Sequence, residues 1–265
     1  MIRTLTIVND AKSSVFKKII YAIKPNVPKY RVISYNNIDI MQIICNYRNK
    51  KIPWKKILNL IQDENRSILC REDISIPNNI GIKRYSSNLF TKQLCKNASV
   101  EYIKVNHFDP RGLKVVLFDK DAKYIDILEN IIMLTSDIKV VTDSSSVYFN
   151  KADRLMDEYG ASIVIADSKN FSSCADILIA PDKITHRLDL KKNAVIFTSQ
   201  KPSVPLDGTI YYSYKIKLPQ KFKNIVPDDL EPVYFLSALY DQYNMKKLST
   251  IVPSHCVSDN KIIPI

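Results

Sequence analysis

The stretch that decides the fold runs Lys114-Val115-Val116-Leu117-Phe118-Asp119-Lys120-Asp121-Ala122-Lys123-Tyr124-Ile125-Asp126-Ile127-Leu128. Four uninterrupted apolar residues, Val115 to Phe118, predict a strand buried on both faces, because a half-exposed strand would alternate. Past a polar turn, Tyr124, Ile125, Leu128, Ile131 and Ile132 recur at helical spacing and predict a helix with one apolar face. Working outward, Lys139-Val140-Val141-Thr142 predicts the next strand. Ala152, Leu155, Met156 and Tyr159 mark a second helix face closed by Gly160, and Ile163–Ala166 a third strand. Asp176–Ala180 and Ala194–Phe197 supply two more. Strands of this kind alternating with helices build a parallel sheet covered on both sides, so the expected class is α/β.

Upstream the same alternation recurs on a smaller scale. Leu5–Val8, Arg31–Ser34 and Ser67–Cys70 read as strands. Val15, Phe16, Ile19, Ile20 and Ile23, with Ser13 or Ser14 as cap, read as a helix. Pro53 stands at a first helical position before Trp54, Ile57, Leu58 and Ile61, and Leu89, Phe90 and Leu94 begin a further helix capped by Ser86 or Ser87. Asp109-Pro110-Arg111-Gly112 is the strongest turn signal in mid-chain. The expected division is therefore a smaller α/β domain over 1–108 and a larger one over 109–265. Downstream, Thr209–Lys217 alternates like an edge strand guarded by lysines. Asp228 and Asp229 open an expected long helix carrying Val233, Leu236, Ala238, Leu239 and Tyr243, which packs back onto the rest.

Composition bounds the chemistry. Only four of the 265 residues are glycine, Gly81, Gly112, Gly160 and Gly208, and no two are close in sequence. Phosphate-cradling loops of the G-x-G-x-x-G or G-x-x-x-x-G-K kind are excluded, because they need clustered residues without a Cβ. The net charge of +12 is lopsided: residues 1–100 hold 18 Lys/Arg against 6 Asp/Glu, and residues 101–265 hold 21 against 21. The basic first half is a candidate surface for a polyanion, with nucleic acid as the class of partner. No apolar run is long enough to span a bilayer and the start has no leader pattern, so no membrane is expected and the expected location is cytoplasmic. Five widely spaced cysteines predict reduced, mostly buried thiols rather than disulfides. The three histidines have no partner at metal-ligand spacing, and no G-x-S-x-G elbow is present. Self-association into a homo-oligomer is left open.

Ligands of open parallel sheets bind beyond the carboxyl ends of the strands. The candidate ligand-binding residues there are Asp119 and Asp121 after the first strand, Thr142 and Asp143 after the second, and Asp167 and Ser168 after the third. The spacing over 114–200, with its strand, helix, strand, helix and closely spaced strand pair, resembles the Rossmann-type domain of shikimate dehydrogenases and glutamyl-tRNA reductases. That resemblance implies a Rossmann-like sheet, NAD(P) as cofactor and Asp143 as the ribose-binding acid about twenty residues beyond the first turn. The layout, small domain first, also resembles shikimate-dehydrogenase-like enzymes. The turn departs from the pattern: Asp119, Asp121 and Tyr124 fall on the three glycine positions, setting carboxylates against a pyrophosphate. The expectation is a Rossmann-like scaffold that is not a dehydrogenase and acts as a ligand-binding or structural module, with no cofactor predicted.

Four alternatives are carried. Phe118-Asp119-Lys120-Asp121 resembles the first motif of haloacid-dehalogenase-type phosphotransferases, which implies Asp119 as nucleophile, Asp121 as general acid, Thr142 as phosphate-holding hydroxyl and Asp167 as a Mg²⁺ ligand. Ala122-Lys123 replaces that family's Gly-Thr. The segment also resembles a receiver domain, with Asp167 as phosphoacceptor and Lys201-Pro202 as its lysine, although 167–176 is too short for the intervening helix. The others are an NAD(P)-dependent oxidoreductase with an atypical turn and a nucleic-acid-binding adaptor using the basic half.

Overall fold

The computed structural model describes residues 1–9, 26–47, 52–61, 66–168 and 174–265. The helix expected over Val15–Ile23 lies outside the described residues. Numbered in chain order, the strands are β1 (Ile2–Asn9), β2 (Lys29–Tyr35), β3 (Ile38–Tyr47), β4 (Ser67–Cys70), β5 (Lys83–Arg84), β6 (Lys114–Phe118), β7 (Asp137–Val141), β8 (Ile163–Ala166), β9 (Ile177–Ala180), β10 (Val195–Thr198), β11 (Thr209–Tyr211), β12 (Ser213–Lys215), β13 (His255–Val257) and β14 (Ile262–Pro264). The helices are α1 (Trp54–Leu60), α2 (Leu89–Val105), α3 (Leu128–Ile131), α4 (Ser145–Tyr159) and α5 (Pro232–Tyr243). None is long and apolar enough to cross a membrane among the described residues. The chain forms two compact units, Met1–Ser87 with Leu218–Asn244, and Asn88–Lys217 with Met245–Ile265. This differs from the division expected at 108/109, because α2 belongs to the second unit and the distant α5 to the first.

The first unit is built on a five-stranded sheet of order β2-β3-β1-β4-β5, parallel except for β2. The sequence reading found no strand at 38–47. It is the longest strand of this sheet and is turned back from β2 by Asn36 and Asn37, both left-handed at φ 47° and 62°, the conformation a two-residue hairpin turn requires. Leu5, Ile43, Ile57 and Ile68 are fully buried in one cluster, with Trp54 of α1 closing it. Each such side chain contributes roughly 1.5–3 kcal/mol by leaving water. Helix α5 begins at Pro232, three residues later than Asp229, with proline at the position its fixed φ suits. Its Phe235, Leu236 and Leu239 are fully buried.

The second unit carries a six-stranded parallel sheet of order β11-β10-β9-β6-β7-β8 and a three-stranded antiparallel sheet β12-β13-β14. The class is α/β and the architecture Rossmann-like, as expected. Strands β6 and β9 are buried on both faces, the signature that the apolar run Val115–Phe118 predicted. Gly160 ends α4 in the left-handed conformation at φ 65°. The apolar face of α4 is not the expected one: Tyr148 and Leu155 are buried, whereas Met156 and Tyr159 are exposed. The expected single strand at 209–217 is two. Strand β11 edges the parallel sheet and β12 starts the small one, and Tyr211 and Tyr214 point inward at 2% exposure each.

Candidate functional site

From β6 the second unit's sheet grows through β7 to β8, then crosses to β9 and grows the other way through β10 to β11. The direction reverses between β6 and β9. Loops leaving those two strands diverge, which makes the crevice beyond their carboxyl ends the place where such sheets hold ligands. Asp119 follows β6 there and Asp182 follows β9.

Asp119 is fully buried. Its Oδ1 accepts the Lys123 N–H at 2.9 Å, and its Oδ2 accepts the Tyr124 N–H at 2.7 Å and the Tyr148 hydroxyl at 2.6 Å. Ala122, left-handed at φ 54°, bends the turn so that both N–H groups face back to the carboxylate. Amides at this point, opening the first helix after the first strand, are the ones that hold phosphate in a dinucleotide fold. Here a carboxylate of the chain itself takes them. The helix behind is shortened to a 3₁₀ turn over Ile125–Ile127 and the single turn of α3, so little macrodipole is left to attract an anion. Burial, reinforced by Asp119, raises the Tyr148 phenol, which stays a donor.

The remaining candidates do not converge on Asp119. Thr142, 1% exposed, donates to the Lys120 carbonyl at 3.2 Å and accepts the Ser144 N–H at 3.1 Å, which makes it a tie between two loops. Asp143 is exposed, accepts the Ser168 hydroxyl and lies 3.5 Å from the Lys120 ammonium. The Ser168 hydroxyl, against a desolvation penalty and with help from Lys120, holds its carboxyl below the usual range. Asp121 is exposed and pairs with Lys123 at 2.5 Å. Asp167 is exposed at the end of β8. The six residues thus divide into a buried cap, a loop tie, a surface pair of Asp143 with Ser168, and two exposed carboxylates.

Sequence reasoning left out a group at the same crevice. Asp182 accepts the Tyr124 hydroxyl at 2.9 Å and pairs with Lys92 of α2 at 2.5 Å. The Lys96 ammonium lies 5.9 Å from the Tyr124 ring centroid and 2.7 Å from Asp126. Burial and the Asp182 carboxylate raise Tyr124, so it too serves as a donor. The strand-end position of Asp182 was visible in the sequence. Nothing there pairs it with a lysine ninety residues upstream.

The residues present do not fit a dinucleotide in the usual mode, since the two amides and the space before them are taken by Asp119. Both oxygens of Asp119 are likewise committed to donors, and among the described residues no three His, Cys, Asp or Glu side chains gather in a metal-holding arrangement. No protein-family model matches the sequence, and no curated protein matches it. Among solved structures, the chain is similar to the dipicolinate synthase A chain of Bacillus subtilis, at 12% identity and a TM-score of 0.40, covering 92% of this chain and 97% of that one. It is also similar to the ligand-free 5-ketofructose reductase of Gluconobacter sp. strain CHM43, at 12% identity and a TM-score of 0.31 over 74% and 77% of the chains. The L-tryptophan dehydrogenase of Nostoc punctiforme is similar at 10% identity and a TM-score of 0.30 over 79% and 64%.

Proposed function

We propose that the chain is not a dehydrogenase, and that its second unit is a Rossmann-like scaffold acting as a structural or ligand-binding module. One observation carries this reading: the buried Asp119 carboxylate accepts both amide hydrogens that a dinucleotide phosphate needs. A phosphate approaching them meets a like charge. At about 4 Å and an effective dielectric of about 20, that repulsion costs about 4 kcal/mol, and displacing the carboxylate leaves it without its amide donors and the buried Tyr148 phenol without its acceptor. A ligand that the crevice does accept meets the outer side, where Asp182 is presented with Lys92 and Tyr124.

Thermal unfolding with millimolar NAD⁺, NADP⁺ or ADP-ribose tests the reading. A ligand held at a hundred times its Kd adds about 2.7 kcal/mol, which a melting curve resolves easily. No stabilisation is expected. A clear rise in Tm with either dinucleotide would overturn the proposal.

A further inference from the structure

Three sheets present six edges among the described residues, and five of them are guarded. Strand β2 exposes Lys29 and Arg31, β5 is only Lys83 and Arg84, β12 ends on Lys215, β14 ends on Pro264, and β11 turns away into β12 after three residues. Charge, proline and an early turn are what keep an open strand from pairing with another chain. Strand β8 has neither charge nor proline. It reads Ile163-Val164-Ile165-Ala166 and ends the six-stranded sheet, and nothing pairs with its outer side among the described residues.

Helix α4 adds a second apolar surface beside that edge. It links β7 to β8 and packs against β8. On the flank toward the middle of the sheet, its Lys151 and Arg154 pair with Glu129 of α3. Phe149, Ala152, Met156 and Tyr159 recur every three or four residues along a different flank, the spacing of a helix–helix seam. That flank is turned away from α3, above the free edge of β8. Phe149, Met156, Tyr159 and Val164 are each about half exposed. Side chains of this size leave on the order of 400 Å² per chain in water, so two copies meeting here cover about 800 Å² with these four alone. Strand backbone and rim carry the total toward the roughly 1,200 Å² of a small specific interface.

We propose that β8 and α4 form the interface of a symmetric dimer, in which β8 pairs antiparallel with its copy and joins two six-stranded sheets into one. The occupant is a second copy of this chain because the geometry is self-complementary. Strands stand about 4.8 Å apart and α4 lies over the β7–β8 pair, so the two α4 axes come to lie about 10 Å apart, the packing distance of helices. A two-fold axis at the β8 edge runs the helices antiparallel. Phe149 then faces the partner's Tyr159, and Ala152, the small residue of the seam, faces the partner's Met156. Such a contact uses the same patch on both chains and stops at two, which covers an edge otherwise open to unlimited association.

The test is sedimentation velocity of the full chain over a range of concentrations. A reversible monomer–dimer equilibrium with its midpoint at about 1–10 µM is expected, the strength of an interface at the small end of the range. Val164→Lys sets a charge on the edge and Phe149→Lys sets one in the seam, and each is expected to weaken the dimer at least tenfold. Val147→Lys, on the exposed flank of α4 that carries Lys151 and Arg154, is expected to change it less than twofold. Thermal melting by circular dichroism establishes that each variant is folded. If Val164→Lys fails to fold, Phe149→Lys, at a half-exposed helix position, decides alone. A chain that stays monomeric at about 100 µM would overturn the proposal. So would a dimer unaffected by the folded variants, a species larger than a dimer, or a loss for Val147→Lys equal to that for Phe149→Lys.

Discussion

At Asp119 one carboxylate does the work of three contacts, and removing it exposes the consequence. Asp119→Ala leaves the Tyr124 amide and the Tyr148 hydroxyl buried, and the Lys123 amide part-buried, without an acceptor. A loss of about 3–5 kcal/mol is expected from urea unfolding. Tyr148→Phe removes one donor of three and is expected to cost about 1–2 kcal/mol. A loss for Asp119→Ala below about 0.5 kcal/mol, the level of a neutral surface change, would mean that the carboxylate is not structural. The cysteines give a second test at this scale. Cys174 is exposed, whereas Cys45, Cys70, Cys95 and Cys256 are buried, and burial pushes Cys45 up to about 11 and Cys95 up to about 12. A thiol reagent at pH 8 is therefore expected to label one cysteine quickly in the native protein, and the other four only on unfolding.

Between elements, Asp176 is the clamp. It precedes β9, and its side chain accepts the Lys114 N–H at the head of β6 at 2.9 Å and the Lys191 ammonium at 2.8 Å. Burial pushes its carboxyl up, but the Lys191 and Lys114 donors outweigh burial and hold it below the ordinary value. Its native pKa is thus lower than in the unfolded chain, near 4. The stabilisation is complete above that value and is lost as pH falls through the native one. Asp176→Asn is expected to flatten the fall in stability between about pH 5 and pH 3, measured by urea midpoints. Elements of this unit were legible where burial is two-sided, because Val115–Phe118 and Ile177–Ala180 are apolar without a break and fit nothing else. Helix α4 misled for the opposite reason: its buried side is fixed by Tyr148 meeting Asp119, a tertiary pairing that outweighs the apolar count of Met156 and Tyr159. Strand β3 was overlooked although Asn36-Asn37 is a hairpin signal, since Asp39 and Gln42 break its apolar run. The cap at Asp119 was invisible because Asp-x-Asp after a strand has the same spelling whether its oxygens face a ligand or the chain's own amides.

For the molecule as a whole, the consequential residues are those of the return segment Leu218–Asn244, which completes the first unit from far down the chain. Sequence alone placed a break at the Asp109–Gly112 turn, because local turn chemistry is readable and partnership over 150 residues is not. A fragment 1–108 is expected to lack a cooperative urea transition. It retains α2, whose Phe90, Leu94 and Cys95 are buried within the second unit, and it lacks Phe235, Leu236 and Leu239 of α5. A chain joining 1–87 to 218–244 through a flexible linker is expected to regain that transition, and its failure to do so would mean that the two segments do not form a self-sufficient body. The interleaving also sets a clock on synthesis. At about 5–20 residues per second, Ser87 leaves the ribosome on the order of ten seconds before Asn244. The second unit waits longer still, since β13 and β14 come from His255–Val257 and Ile262–Pro264. Neither body is complete until residues far beyond its first strands have been made, so apolar strands such as Val115–Phe118 stand uncovered on the nascent chain, and a chain cut short before His255 has both large sheets but leaves β12 without its partner.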